Sequence, residues 1–295
     1  MKKILLILAI LTLSELVVSQ NQNINWFFGD SVIIKFDGGG IFPSYVSGHA
    51  HEASCSVSDP IGNLLFYSNG KDVWDKNYIL MPNTGLDIGQ FNPNLGSSIT
   101  QGIVTFLDPG DSSKYYLFQI CYCCFKYSKI NMNLNGGLGD VEEKDLLLLA
   151  DTIMEKLQVI KHGNGRDWWV IIHEKSSDFS SEMTNKFYKF LVTIDGIEGP
   201  FVQEVGQLIG YQTNVGQMIA ANDGSKIALT GTNFVEIFNF NRCTGELEKY
   251  YLINNLSPPQ FVSYGCSFSQ DGSKLYVSND GTHSILYQYC LDCPD

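Results

Sequence analysis

A unit of strand, tight turn and strand recurs along this chain at intervals of about fifty residues. Its two clearest copies both carry Asp-Gly-Ser-Lys, at 223–226 and at 271–274. Asp-Gly between two apolar runs predicts a hairpin, because glycine and aspartate adopt at little cost the positive φ that such a turn requires. A third strand of alternating character follows each hairpin, at 235–240 and at 284–289.

Three earlier stretches have the same order of strand, turn and strand, although their sequences have diverged. The five turns contain Gly62, Gly110, Gly165, Gly224 and Gly272. One four-stranded sheet cannot bury both of its faces alone, whereas sheets that stack around an axis can. The chain is therefore predicted to be all-β, a β-propeller of about five four-stranded blades of WD40 or YVTN type. A β-sandwich would show turn signals every 8–12 residues and no longer period.

The predicted blades occupy residues near 50–97, 98–150, 151–210, 211–258 and 259–295, within a single domain over 20–295. The fifth repeat stops after its third strand. A strand within 26–37 could supply the missing fourth strand and close the ring. The alternative, which the residues leave open, is an incomplete part of a larger, seven-bladed propeller. Helix propensity is highest over 142–156, but the repeat order predicts strand and loop there.

The first nineteen residues have the pattern of a signal peptide. Lys2 and Lys3 precede an apolar run over 4–13, which is too short to span a bilayer. Val17 and Ser19 then place small side chains before a cleavage site. A secreted protein, extracellular or at the cell surface, is therefore expected, and no later stretch predicts a membrane helix. A buried N-terminal helix is the alternative.

The net charge of −12 excludes one class of partner. An acidic surface repels a phosphate backbone, so nucleic acid is not an expected ligand. Few charges, at 17% of residues, together with abundant glycine and aromatic residues are typical of many short strands joined by tight turns.

Eight cysteines in an exported chain permit disulfide bonds, but sequence alone cannot pair them. They are Cys55, Cys121, Cys123, Cys124, Cys243, Cys266, Cys290 and Cys293. The last two form a single C-x-x-C without the second pair that a zinc site would have. Strand alternation predicts Cys121 and Cys123 on one face and Cys124 on the other. This cluster is either one structural disulfide or a set of buried thiols.

Histidine and tryptophan residues give the other candidate sites. His49 and His51 alternate onto one face and could bind a metal, but no third ligand is identifiable, so loop histidines are expected instead. His162 and His173 flank the strand with the two adjacent tryptophans. We expect such a histidine to bond a neighbouring blade's backbone rather than act as a base. Trp74 is either a sugar-stacking platform or, as we expect, packing between blades.

No motif of nucleophilic, phosphate-binding or metal chemistry occurs. Asp-Pro-Gly-Asp at 108–111 and Asn-Asp-Gly at 279–281 are interpreted as ordinary turns. No catalytic, cofactor-binding or metal-binding residue is therefore predicted. Carboxylates from different blades could nevertheless converge on a central channel, where spacing along the chain would not reveal them.

Several stretches together resemble the N-terminal propeller region of large exported proteins of gliding-type bacteria, which often carry a type IX secretion sorting domain. They are Asn-Trp-Phe-Phe-Gly at 25–29, Gly-Asn-Leu-Leu-Phe-Tyr-Ser-Asn-Gly at 62–70, Val-Trp-Asp-Lys-Asn at 73–77, Met-Pro-Asn at 81–83, Asn-Leu-Asn-Gly-Gly-Leu-Gly-Asp-Val at 133–141, Glu-Lys-Leu at 155–157, Lys-His-Gly-Asn-Gly at 161–165, Asp-Trp-Trp-Val at 167–170 and Asp-Gly-Ser-Lys-Leu-Tyr-Val-Ser at 271–278. The resemblance implies a WD40-like propeller at or beyond the cell surface. It carries over no catalytic residues, and such proteins usually have further blades.

The predicted function is that of a non-catalytic exported propeller, a binding or structural module for a protein or glycan. One alternative is a polysaccharide-active hydrolase or lyase with carboxylates in the central channel. Another is a structural repeat segment of a larger adhesin. Paired carboxylates in the channel would favour the enzyme, and a plugged apolar channel would favour binding.

Overall fold

The computed structural model describes residues 23–89, 97–121, 123–176, 183–210, 215–254, 262–280 and 285–293. The predicted signal peptide at 1–19 lies outside these ranges. Their regular structure is almost entirely β-strand, with a 3₁₀ turn at Asn135–Gly137 and no α-helix in the part described. No helix of these ranges is long and apolar enough to cross a membrane.

Within the described ranges, the strands form six antiparallel sheets that follow one another along the chain. The first sheet contains β1 (Asn25–Phe28), β2 (Asp30–Asp37) and β3 (Gly40–His49). The second contains β4 (Cys55–Ser58), β5 (Leu64–Ser68) and β6 (Val73–Asp75). The third contains β7 (Ile103–Asp108), β8 (Asp111–Cys121), β9 (Cys124–Asn131) and β10 (Asp140–Leu149).

The remaining three sheets continue the same order. The fourth contains β11 (Ile153–Lys161), β12 (Trp168–Glu174), β13 (Thr184–Thr193) and β14 (Gly196–Ile209). The fifth contains β15 (Met218–Ala220), β16 (Lys226–Gly231), β17 (Phe234–Asn241) and β18 (Glu246–Asn254). The sixth contains β19 (Val262–Phe268), β20 (Lys274–Asp280) and β21 (Leu286–Cys290). Each strand pairs with its neighbour in sequence, so every sheet is a meander.

Each sheet packs one apolar face on the sheet that follows it. Five buried clusters join the first sheet to the second, and so on to the sixth. The middle strand β12 shows the consequence in sequence, since Val170, Ile171 and Ile172 are consecutive and fully buried. A strand covered on both faces needs apolar residues at successive positions rather than at alternate ones.

The first strands of neighbouring sheets also lie beside one another. Strand β1 contacts β4, β4 contacts β7, β7 contacts β11, β11 contacts β15, and β15 contacts β19. Meander sheets that pack face to face with their first strands around a common axis form a β-propeller. The predicted all-β propeller fold is confirmed, and the second to sixth sheets fall on the five predicted blades.

The hairpin turns predicted from sequence are present. Gly224 and Gly272 both have φ of +71°. The carboxylate of Asp223 accepts the backbone N–H of Ser225, and Asp271 accepts that of Ser273 in the same way. The segment with the highest helix propensity forms β10 and β11 instead, because pairing with β9 and β12 satisfies its backbone. The strands predicted from repeat order are therefore confirmed, and the helix that propensity favoured does not form.

The strand suggested to close the ring has another place in the structure. Residues 26–37 form most of β1 and β2, which pair with each other and with β3 in a sheet of their own. The glycines that follow Asp37 allow a two-residue hairpin turn into β3. A local hairpin costs far less chain entropy than pairing with a strand some 250 residues away. The closing role suggested for this strand is thus wrong in the structure described.

The outward face of the first sheet is apolar and exposed. It carries the exposed side chains of Trp26, Phe28, Phe36, Ile41 and Tyr45. The inward face carries Phe27, Ile33 and Val46, which pack against the second sheet. The two faces follow from strict alternation along β1, β2 and β3.

Two cysteine pairs are joined, and the prediction for the first pair needs correction. Cys121 and Cys124 form a disulfide, as do Cys290 and Cys293. The chain turns between β8 and β9 at this point, so Cys121 and Cys124 are directly opposed rather than on different faces of one strand. Cys123 lies in the turn and is exposed. The predicted alternation of the three cysteines between two faces is wrong because it assumed one continuous strand through 121–124.

We expect the denatured protein to react with four equivalents of an alkylating reagent in the absence of reductant, and with eight after reduction. The four free thiols are Cys55, Cys123, Cys243 and Cys266. In the native state only Cys123 and Cys243 should react quickly, because Cys55 and Cys266 are withdrawn from water and burial raises the pKa of each to about 12. Intact mass spectrometry counts the adducts, and eight adducts without reductant would contradict both disulfides.

Candidate functional site

A polar cleft of about 460 Å³ lies at one end of the propeller's inner strands. Its lining residues come from five of the six sheets or the links before them: Glu52, Ser98, Glu155, Val215, Tyr264, Ser278 and Asn279. Glu155 lies in β11, Tyr264 in β19, and Asn279 near the end of β20. Residues distant in sequence therefore meet here because the inner strands surround one axis. The volume falls within the range of pockets for small ligands.

A chain of hydrogen bonds crosses the floor of the cleft. One carboxylate oxygen of Glu155 accepts the backbone N–H of Thr100 at 2.9 Å and its hydroxyl at 2.8 Å. The Thr100 hydroxyl has one proton, so the Tyr264 hydroxyl, 3.0 Å away, donates to it. This chain holds Glu155 as an acceptor and joins the link before the third sheet to the fourth and sixth sheets.

A second set of contacts joins parts of the chain that are distant in sequence. The side-chain amide of Gln101 donates to the carbonyl of Met218 at 2.9 Å and accepts its N–H at 2.7 Å. This pair of bonds joins the link before the third sheet to the first strand of the fifth sheet.

Two carboxylates line the same cleft. The pKa of Glu52 is raised above its ordinary value, first by partial burial and then by the charge of Glu155, while His51 opposes the shift. The backbone of Glu52 is held in place by its N–H bond to the carbonyl of Ser97 at 3.2 Å. Negative charge is therefore concentrated at the cleft, and a ligand that brings positive charge or several hydroxyl donors would relieve it.

Asn279 supplies a donor without a partner. Its side-chain oxygen accepts the N–H of Ile285 at 2.6 Å, which fixes the orientation of the amide. Its side-chain nitrogen is buried and has no hydrogen-bond partner among the described residues, although Asn279 is only 7% exposed. A buried donor left unsatisfied costs about 1–3 kcal/mol. A ligand oxygen in the cleft would remove that cost.

A buried lysine lies beside the cleft. Lys156 follows Glu155 in β11 and is fully buried, and its ammonium nitrogen lies 2.6 Å from the carbonyl oxygen of Val215. Burial lowers the pKa of Lys156 to about 7, against the opposing effects of Glu155 and Cys266. His173 is also buried nearby, and burial lowers its pKa to about 4, with a smaller contribution from Lys156. The site thus rests on groups that folding holds away from water.

The metal site considered for the early histidines is not assembled. His49 lies 3.6 Å from the carboxylate of Asp30, and its ring stacks loosely on that of His51. Across the residues that the structure describes, no group of three or more histidine, cysteine or acidic side chains is placed to hold a metal ion. The two histidines thus enter the link before the second sheet without a third ligand.

The two later histidines have different partners. His162 contacts the backbone carbonyl of Cys243 in the fifth sheet at 3.1 Å, so the expected bond to a neighbouring blade is confirmed. His173 instead contacts the carbonyl of Glu174 in its own sheet at 2.6 Å and packs against Phe187. The expected bond from His173 to a neighbouring blade is wrong, because its ring contacts a backbone carbonyl of its own strand.

Trp74 packs between sheets, as expected. It is 5% exposed, stacks on Tyr67 at 5.2 Å and contacts Phe27 of the first sheet. A buried ring cannot serve as a platform for a sugar.

The turn at 108–111 is confirmed, since Asp108 caps the N–H of Gly110 between β7 and β8. Asn279 is not in a turn but in β20, and this misplacement concealed its part in the cleft.

Comparison with known proteins supports the fold. No family model matches the chain, and no curated protein matches it either. The β-propeller domain of Cps50 (Swd1) from Myceliophteria thermophila is similar over 92% of this chain and 84% of its own, at 8% identity and a TM-score of 0.50. Hsv2 from Kluyveromyces lactis covers 90% of this chain and 73% of its own, at 12% identity and a TM-score of 0.43.

An exo-β-1,3-galactanase from Phanerochaete chrysosporium is similar over 74% of this chain and 50% of its own, at 12% identity and a TM-score of 0.39. At such low identity these likenesses concern the fold alone. The fold and the cleft thus define the chain as a β-propeller with a cleft at one end of its inner strands. Propellers of this architecture serve both as binding modules and as enzymes, so function depends on the site itself.

Proposed function

We propose that this chain is a non-catalytic exported propeller that binds a glycan or a protein in the cleft lined by Asn279, Glu52 and Glu155. The observation that carries the proposal is the side-chain nitrogen of Asn279, a buried donor that has no hydrogen-bond partner among the described residues and belongs to a residue that lines the cleft. Folding would not select an uncompensated donor for its own stability. A ligand oxygen that accepts from it gives the donor a use.

The arrangement around Asn279 supports recognition rather than a purely structural role. Glu155 is fixed by two hydrogen bonds from Thr100, so its direction is set before any ligand arrives. Asn279 and Tyr264 come from the sixth sheet, and Glu155 comes from the fourth. Such preorganisation reduces the entropy that binding costs.

Export is the second part of this proposal. It rests on the basic and apolar pattern of residues 1–19, on the two disulfides, and on the resemblance to exported propellers of gliding-type bacteria. We propose a secreted or surface-associated protein connected with type IX secretion. Expression with residues 1–19 intact, followed by N-terminal sequencing of protein from the medium, tests this. A chain retained in the cell with its leader uncleaved would contradict export.

Asn279→Ala is expected to weaken binding of the ligand found on a glycan array or in a pulldown by about twofold to tenfold, since one neutral hydrogen bond contributes about 0.5–1.5 kcal/mol. Titration calorimetry with that ligand measures the change. Asn222→Ala serves as the matched control, because Asn222 bonds a backbone carbonyl in a turn and does not line the cleft. Equal affinity of the Asn279 variant and the wild type would remove the cleft from the function.

One observation favours the enzyme alternative. Glu52 and Glu155 line one cleft, and the pKa of Glu52 is raised, as expected for a general acid beside a charged carboxylate. A polysaccharide hydrolase or lyase would release reducing ends or unsaturated products from a panel of polysaccharides. Activity abolished by both Glu52→Gln and Glu155→Gln, and unaffected by Glu248→Gln, would replace the binding proposal with catalysis.

A further inference from the structure

We propose that the ligand of the cleft is a glycan with free amino groups, such as a β-linked glucosamine oligomer. This inference rests on the proposed binding function and names the chemistry of its ligand. It combines two independent features of the cleft, the two carboxylates that line it and the buried donor of Asn279, which has no partner among the described residues.

The carboxylate pair selects for a cation. Glu52 and Glu155 line the same cleft, and the pKa of Glu52 is raised first by partial burial and then by the charge of Glu155, so the two carboxylates repel each other. An ammonium group between them replaces this repulsion by charge-assisted hydrogen bonds, which are about twice as strong as neutral ones. The formal charge of −12 on the chain adds long-range attraction for a polycation.

The Asn279 donor requires an oxygen close to that cation. The Ile285 N–H donates to the side-chain oxygen of Asn279 and so fixes which end of the amide faces it. The other end is the amide nitrogen, which can only donate. An ammonium group alone offers no acceptor to Asn279. An amino sugar carries hydroxyl and ring oxygens on carbons next to its amine, so one residue can satisfy both demands.

The wall chemistry favours a sugar over a lysine side chain. A lysine has a four-carbon apolar stem, which needs an apolar sleeve above the carboxylates. Among the lining residues only Val215 is aliphatic, whereas Ser98, Ser278 and Asn279 are polar. A sugar is polar around its whole edge and presents an apolar face that an aromatic ring such as Tyr264 can contact. A cationic glycan therefore matches the cleft better than a basic peptide.

Calorimetry with four probes tests the inference on the full secreted chain at pH 6 and low salt. The probes are β-1,4-linked tetramers of glucosamine, glucose and N-acetylglucosamine, together with tetralysine. We expect the glucosamine tetramer to bind at least about tenfold more tightly than the glucose tetramer, which has a hydroxyl in place of each amine. Glu52→Gln should remove most of that preference, because glutamine keeps the shape and an acceptor oxygen but loses the charge.

Glu248→Gln is the matched control. It removes the same unit of negative charge, but from the outer strand β18, so this variant should retain the preference for the glucosamine tetramer. Equal affinities for the glucosamine and glucose tetramers would overturn the cationic ligand while glycan binding survived. Tighter binding of tetralysine than of any glycan would overturn it in favour of a basic peptide. If the chain bound a ligand whose affinity Asn279→Ala left unchanged, the proposed function of the cleft would fail as well.

Discussion

Trp74→Ala is expected to lower the free energy of unfolding by about 3–5 kcal/mol, among the largest effects of any single substitution in this chain. Trp74 is buried between the first and second sheets, where it stacks on Tyr67 and contacts Phe27. The ring also fills the space above Gly48, which has no side chain of its own to fill it. Alanine would leave a cavity that the two sheets cannot close without moving together. Urea denaturation followed by fluorescence measures the loss.

A matched substitution separates packing from chemistry. Trp26→Ala removes the same side chain from the exposed face of the first sheet, where Trp26 is 55% exposed, and should cost no more than about 1 kcal/mol. Trp74→Phe keeps an aromatic ring and should cost less than Trp74→Ala. If Trp74→Ala instead left stability unchanged and abolished glycan binding, Trp74 would be a sugar platform and the packing shown here would not be its role.

Stability is expected to rise by about 1.5 kcal/mol between pH 7 and pH 8.5 because of one buried lysine. Burial lowers the pKa of Lys156 from its ordinary value of 10.5 to about 7. In this window the unfolded chain keeps the proton on Lys156 while the folded chain releases it. The unfolded state therefore binds more protons, and raising the pH favours the folded state.

Lys156→Met should remove most of this rise, because methionine fills a similar volume without a titrating group. Lys186→Met should retain it, since the bond to Glu174 raises the pKa of Lys186 and keeps it charged in both states. Urea midpoints at four pH values across the window measure the slope. The same slope in Lys156→Met as in the wild type would show that Lys156 is not the group responsible.

The acid side of the profile has a different origin. Burial lowers the pKa of His173 to about 4, so the folded chain resists a proton that the unfolded chain accepts below about pH 6.5. Stability therefore falls as pH decreases from about 6.5 toward 4. The two windows do not overlap, so the Lys156 variants can be tested without interference from His173.

Much of the fold was predictable because its signals are local. Asp-Gly-Ser-Lys fixes a turn through the aspartate cap and the positive φ of glycine, and Gly224 and Gly272 have the same φ. The repeat order also identified β10 and β11 correctly where propensity favoured helix. The failures were also local in kind: a turn at Cys123 went unrecognised, and with it the opposition of Cys121 and Cys124.

The candidate site was not predictable in the same way. Glu155 and Asn279 lay in stretches singled out in the sequence, the first for a resemblance and the second as a turn, and Glu52 directly follows His51 of the histidine pair. The two carboxylates line one cleft because the link before β4, which carries Glu52, and strand β11, which carries Glu155, approach the same axis. The missing partner of Asn279 depends on which groups its neighbours leave free. No spacing along the chain encodes either fact.

The sequence by itself determined the five recurring hairpin turns and their order, because a turn or an alternating strand is specified by residues a few positions apart. Only the tertiary structure decided what those strands bring together. It placed the strands of residues 26–37 in a sheet of their own, buried Trp74 and Lys156, and assembled the cleft from strands of two sheets and the links before three others. The physical reason is that burial and electrostatic coupling depend on distance in space, and in a propeller the nearest neighbours in space come from successive blades.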